Sequence, residues 1–347
     1  MDHPESRLAE TAEELSTALQ PALVANTNQS DVDSAYGASV NGAMTASLAS
    51  SVLNYRYENG RRYHAYRDGQ YHLPNDESEQ ARLDMLHHIF VLVLDGALYR
   101  APLCHHGQPQ RVLDLGCGTG LWCMQFADEF PESLVLGTDL SPIQPNWVPP
   151  NCRFYVDDIE SEWTYSPGEH FDFIHGRALC GSIADWHRLF TQSLANLKPG
   201  GWIEMQEFFC KVYSIDDNID NAPYLKEWEE QINEASRRFG KELAKANVLK
   251  RYMEDVGFVD VREEIYKVPI GPWAWGKKFK ELGIYSLAQF LDSVEPFSLA
   301  LFTRMLEYTA DETMTIIARV KNDLVNPKLH TYLHFHFVWG RKADGPE

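Results

Sequence analysis

The chain has 347 residues, enough for one large core or two modest ones, and 44% apolar with 12% aromatic residues is the composition of a globular protein. A net charge of −19 speaks against a nucleic-acid partner, which needs a basic patch, and none stands out. The mean hydropathy is −0.36 and no apolar run approaches the length of a membrane span, so no membrane association is expected.

The opening MDHPESRLAE has neither a basic start nor an apolar stretch, so no secretory signal is expected. Residues 1–53 are polar and rich in small side chains, which predicts a mobile or weakly helical segment. Residues 55–66 crowd Tyr, Arg and His together, either as a packing segment or as a lid, since Tyr and Arg stack on a charged ligand while excluding water. Leu86, Ile89, Phe90, Val93 and Ala97 recur at helical spacing, predicting a helix over 76–98 capped near Asp76 or Ser78. Residues 54–100 are therefore read as lid and helix.

The stretch RVLDLGCGTG at 111–120 organises the rest of the chain. Val112, Leu113 and Leu115 predict a buried strand, and Gly116, Gly118 and Gly120 let the backbone turn tightly beside a ligand before a helix starts near Leu121. A strand, a glycine turn and a helix form the nucleotide-cradling unit of doubly wound α/β folds. The spacing G-x-G-x-G behind Asp114 is not that of a pyrophosphate loop; a carboxylate there suits an ammonium group. A second apolar run, 134–138, ends in Asp139, twenty-one residues after Gly118, where an acidic side chain accepts from ribose hydroxyls.

A further strand is expected from Trp202 to about Phe209, and the prolines between Ser141 and Pro150 rule out a continuous helix there. A helix marked by Trp186, Leu189, Phe190 and Leu194 is closed by Lys198, Pro199, Gly200 and Gly201. Helices follow within 213–240 and 249–256, then a strand over 258–268, helices within 272–325 and a last strand near 332–339. The block at 272–325 reads as a helical cap inserted before the last strand. Trp273 and Trp275, flanked by Gly271, Pro272 and Gly276, are its candidate substrate contacts, because a loop would present them.

With FYVDDIE at 154–160, FDFIHGRAL at 171–179 and LKPGGWIEMQE at 197–207, the glycine turn makes the chain resemble a class I methyltransferase that binds S-adenosyl-L-methionine. The resemblance implies a Rossmann-like α/β fold with a seven-stranded, mostly parallel sheet, an N-terminal helical lid and a C-terminal helical cap, its methyltransferase domain covering 101–347. It places Asp114, Gly116, Cys117, Gly118 and Gly120 at the methionine end of the cofactor. Asp139 and Leu140 fall at the ribose, Asp157, Asp158 and Ile159 at the adenine, and Tyr63 in the lid above.

Methyl transfer needs alignment, exclusion of water and, for a hydroxyl, removal of a proton. His175 and Arg177 at the end of the fourth strand and Glu207 on the fifth are the candidate catalytic groups. Each also has a packing alternative: His175 against backbone, Arg177 with Asp172, Asp185 or Glu204. His334 and His336 share a strand face but lack a third ligand, so no metal is expected.

More narrowly, Y-R-x-E-N-G-R-x-Y-H from Tyr55, P-N-D-x-x-E-x-x-R-L-D from Pro74 and IHGRALCGSIADW at 174–186 are similar to the fungal LaeA-like methyltransferases. That family includes regulators of secondary metabolism and enzymes that methylate secondary metabolites. The resemblance implies O- or N-methylation of a small secondary metabolite, with a regulator acting through protein partners, or a protein methyltransferase, as alternatives. Six cysteines at unpatterned positions fit reduced thiols in the cytoplasm, or in the nucleus for a regulator.

Overall fold

The computed structural model describes residues 55–103, 107–216 and 219–345. The expectation for 1–53 lies outside the described residues. The described chain opens with a hairpin, β1 (Arg56–Glu58) and β2 (Arg61–Tyr63), turning through Asn59 and Gly60 at φ of 51° and 79°. Two positive φ angles suit the twist of the flanking strands, and Asn-Gly is the pair that adopts them. Helix α1 (Glu77–Val93) follows, its N-cap Asp76 accepting from the Glu79 amide. It stops five residues short of the expected 98, because Asp95 and Gly96, at φ of 56° and 94°, turn the chain away.

The sheet then grows from β3 (Arg111–Leu115), α2 (Leu121–Glu129), β4 (Leu134–Asp139), β5 (Cys152–Val156), β6 (Phe171–Arg177), α3 (Trp186–Asn196) and β7 (Leu197–Phe208). After the two-residue β8 (Tyr213–Ser214) come α4 (Pro223–Phe239), α5 (Leu249–Val256), β9 (Val259–Ile270), α6 (Lys277–Met305), α7 (Ala310–Leu324) and β10 (Thr331–Arg341). The strand order is β5-β4-β3-β6-β7-β10, with β9 and β8 both paired to β10. β3 to β7 run parallel and β10 is antiparallel to its neighbours. The chain winds outward from β3 to β5, then resumes on the other side of β3 with β6. This reversal opens a crevice beyond the carboxyl ends of β3 and β6, the place where such sheets take ligands.

β7 departs from the expected start at Trp202. Leu197 already pairs with Phe171, residues 198–201 bulge out, and Trp202 rejoins opposite Phe173. Alternation along each strand sorts the core into two layers. Val112, Trp122, Phe126, Phe173 and Phe337 pack under α1 and α2, while Leu113, Ile174, Phe190, Ile203 and Met253 pack under α3 and α5.

Between β9 and β10, α6 and α7 build a third core with α4, centred on Trp228, Ile232, Phe290, Phe297, Phe302 and Val320. Phe290, Phe297 and Phe302 of the insertion help to build this core. Phe279 is half exposed.

Candidate functional site

The glycine turn leaves β3 with its backbone pressed against neighbours. A Cβ on Gly120 would stand 2.4 Å from Phe154 Cζ, and one on Gly116 2.6 Å from Leu179 Cδ2, both at left-handed φ of 82° and 62°. Only glycine satisfies both limits. The turn is stitched to β4: the Cys117 amide donates to Thr138 O at 2.9 Å, and the Gly118 amide to Asp139 Oδ2 at 2.8 Å. Asp139 Oδ1 accepts from the Ser141 amide at 2.9 Å. Burial raises this carboxyl to about 6, against the pull of the Ser141, Gly118 and Leu140 amides. Asp139 thus stands at the carboxyl end of β4 as a fixed acceptor beside the turn.

The loop after β5 continues the same rim. The Asp157 amide donates to Asp139 O at 3.0 Å, while burial raises the Asp157 carboxyl. Asp158 caps its own loop, accepting from the Glu160 amide at 3.0 Å and the Ser161 hydroxyl at 3.0 Å. Ile159 packs toward the α3 layer, its carbonyl taking the Trp163 indole at 2.9 Å. Arg67, from the segment after the hairpin, crosses to this loop, with Nε 3.3 Å from Asp158 Oδ2 and Nη2 donating to Ser161 Oγ at 2.8 Å. A cavity of about 450 Å³ opens there between Arg67, Asp158, Ser161, Asp185 and Arg188.

Several expectations need correction. Asp114 does not face the turn with an open carboxylate: it is buried, Oδ1 bonds His175 Nδ1 at 2.7 Å and Oδ2 accepts from Cys123 at 3.2 Å. An ammonium would have to displace both. His175 is fully buried opposite Asp114 in the β3–β6 ladder, with Trp122 stacked on its ring at 3.8 Å and 2°. Its ring is closed off from solvent between Asp114 and Trp122. Glu207 is also fully buried, its two oxygens accepting the Leu179 and Cys180 amides at 2.7 and 3.0 Å. Burial raises it to about 7, and both oxygens hold the loop after β6.

Arg177 pairs with none of Asp172, Asp185 or Glu204. Its guanidinium donates to His87 Nδ1 at 2.6 Å and lies over the Phe90 ring, and His87 Nε2 meets Gln125 Oε1 at 3.0 Å. Burial lowers Arg177 to about 10 and His87 to about 3. Arg177 thus has a neutral imidazole as its bonded partner and no carboxylate within ion-pair reach among the described residues.

Trp273 and Trp275 do not line an enclosed pocket. The Trp273 indole is tied to Ile270 O and Thr331 O at 3.1 and 3.0 Å, and Trp275 is 93% exposed. Tyr63 faces the cap instead of the glycine turn, with Arg304 over its ring and its hydroxyl raised to about 12 by burial.

The contacts that the sequence did not reveal join hairpin to cap. Arg61 spans Asp76 at 2.6 Å and Glu295 of α6 at 3.0 Å, while Arg304 of α6 donates to Glu58 at 3.2 Å. Arg82, buried on α1, bonds Glu79 at 2.9 Å and Ser293 of α6 at 3.3 Å. The Glu79–Arg82 pair had a signal, the i,i+3 spacing on a helix; the others link residues with no local pattern. Among the described residues no His, Cys, Asp and Glu cluster could hold a metal.

The sequence profile of the methyltransferase-domain family matches residues 85–263, just over half of the chain. The chain belongs to that family. As a methyltransferase it has the class I fold, and its glycine turn and strand order are those of the S-adenosyl-L-methionine-dependent members. It is similar to methyltransferase pytC of Aspergillus terreus, at 37% identity over 85% of this chain and 90% of the relative. It is 36% identical to the secondary metabolism regulator laeA of Aspergillus niger, over 83% of this chain and 76% of the relative. Among solved structures, Haemonchus contortus phosphoethanolamine N-methyltransferase 2 in complex with S-adenosyl-L-methionine aligns over 76% of this chain and 52% of its own. The identity is 19% and the TM-score 0.41, too loose a likeness to speak of substrate. No helix among the described residues is long and apolar enough to cross a membrane.

Proposed function

We propose that this methyltransferase transfers a methyl group to an O or N atom of a small, largely apolar secondary metabolite. The observation that carries the reading is a hairpin closed onto the cap by Arg61–Glu295 and Arg304–Glu58. Such a closure favours an acceptor small enough to be enclosed and shielded from water.

In this reading the turn at Gly116, Cys117, Gly118 and Gly120 carries the donor, Asp139 accepts from its ribose, and Asp158 with Ile159 borders its adenine. Arg177, bonded to neutral His87, orients a carbonyl or carboxylate in this reading. The bound S-adenosylmethionine supplies an electrophilic methyl on sulfonium; the chain's part is to hold the acceptor in line and keep water out. Incubating the protein with S-adenosylmethionine and a metabolite extract, then searching by mass spectrometry for a species heavier by one methyl group, tests this. A new product that requires the protein supports it, and none despite donor binding refutes it.

The second reading is a regulator acting through protein partners, favoured by the near-equal identity to laeA and pytC. It predicts specific capture of a partner where no small product forms. The enzyme reading suits the cytoplasm and the regulator reading the nucleus.

A further inference from the structure

We propose that His72 is the polar anchor of an acceptor subsite between the hairpin segment and the cap, and that the acceptor is a flat, neutral aromatic molecule carrying a hydroxyl. This rests on the methyltransferase reading above and names the acceptor class for it.

His72 is 1% exposed, yet neither ring nitrogen has a hydrogen-bond partner among the described residues. A neutral imidazole carries one donor and one acceptor, and leaving both unmet in the interior costs free energy that a bound ligand would recover. Two further groups on the same segment share the condition: the buried Tyr63 hydroxyl and His64 Nδ1 also lack partners. The charge of Arg304 bears on all three rings, which places them in one neighbourhood. Four unmet polar atoms thus lie on this one buried segment, others being scattered through the fold.

The surroundings of His72 are apolar and flat. Tyr71, Phe239 of α4 and Phe297 of α6 lie 5.7, 5.7 and 6.0 Å from its ring centre. Aromatic walls of this kind receive a planar ring by stacking or by edge contact. The location suits an acceptor: His72 Cε1 is 3.3 Å from where a Cβ on Gly181 would stand, and Gly181 lies in the loop directly after β6. That loop is the one braced by Glu207, at the carboxyl edge of the sheet where the crevice opens.

Charge selects a neutral ligand. The cations facing His72, Arg304 and Lys241, are already engaged, Arg304 by Glu58 and Lys241 by Glu160 at 2.7 Å. Burial, with these two cations, lowers His72 to about 3, so the ring is neutral across the working range. It can take a hydroxyl proton in a hydrogen bond or donate to a hydroxyl oxygen.

The test measures, by calorimetry on the full chain saturated with S-adenosylhomocysteine, the binding of 1-naphthol and of naphthalene, which has the same ring but no hydroxyl. The wild type should bind 1-naphthol at least about tenfold more tightly. His72→Phe should abolish that preference while keeping S-adenosylhomocysteine affinity, and His72→Gln, which restores a hydrogen-bonding group, should regain part of it. Equal binding of the two probes by the wild type, binding of neither, or a preference that survives in a folded His72→Phe would overturn the proposal. Failure of the wild type to bind S-adenosylhomocysteine would instead strike the methyltransferase reading itself.

Discussion

The glycine-turn rim and the hairpin–cap closure meet where Arg67 reaches Asp158, but they are held by opposite kinds of contact. On the rim, backbone amides bond to a carboxylate or a carbonyl across short spans of chain, as when Gly118 reaches Asp139 over 21 residues. The closure rests on side-chain ion pairs between residues 234 and 246 positions apart, Arg61 with Glu295 and Arg304 with Glu58. Backbone contacts leave the rim little freedom, whereas side-chain pairs at a partly exposed surface let the closure form and break at small cost. The difference separates a rigid rim from a hairpin contact that can open.

The largest effect is expected behind the rim. Glu207→Ala leaves the Leu179 and Cys180 amides buried without acceptors, at about 1 to 3 kcal/mol each. Denaturant unfolding should lose about 2 to 5 kcal/mol, and a loss below about 1 kcal/mol would mean the loop after β6 does not depend on Glu207.

Gly120→Ala should come next, because its Cβ meets the Phe154 ring at 2.4 Å in a left-handed conformation. About 2 kcal/mol of stability and most donor affinity should go with it. Retained donor binding would show that the turn can rearrange.

pH acts on the buried carboxylates of β7 and on His72 with opposite signs. Burial raises Glu204 and Glu207 to about 7, so the folded protein holds extra protons between about 4.5 and 7. Their contribution is complete below the unfolded value and fades as pH rises through the folded one, by up to about 1.4 kcal/mol per unit for each group. His72 is lowered to about 3; its contribution is complete above the unfolded value near 6.5 and is lost as pH falls toward 3. Stability of Glu204→Gln measured between pH 5 and 7 should therefore fall less steeply, or rise more steeply, than that of the wild type. An unchanged slope would show that Glu204 does not carry this pH dependence.

The smallest effect belongs to the crossing from Arg67 to Asp158. Arg67, whose side chain is 42% exposed, should cost within about 0.5 kcal/mol of stability when changed to Ala. A larger loss would make the crossing to Asp158 part of the fold and not of its cover.

The same contrast explains what could be read from the sequence. β3, the glycine turn and β4 were legible because periodicity and glycine spacing are local. The burial of His175 carries no such signal, because strand position does not tell that a neighbour such as Trp122 covers the ring. Glu207 resembled a reacting carboxylate, since its loop amides lie 27 and 28 residues away in a turn with no motif. The hairpin did carry a local signal, Asn59-Gly60, which the aromatic crowding of 55–66 masked. The pairs from Arg61 and Arg304 to the opposite end of the chain carried none.

The central claim is that the turn and Asp139 form one donor site, and calorimetry of S-adenosylmethionine binding to wild type and Asp139→Asn tests it most directly. The variant keeps the side chain's size but loses its charge and one of the two acceptor oxygens that hold Gly118 and Ser141. Affinity should fall at least about tenfold, the loss of a charge-assisted hydrogen bond. Equal affinity in the two proteins would contradict the placement of the donor at this rim.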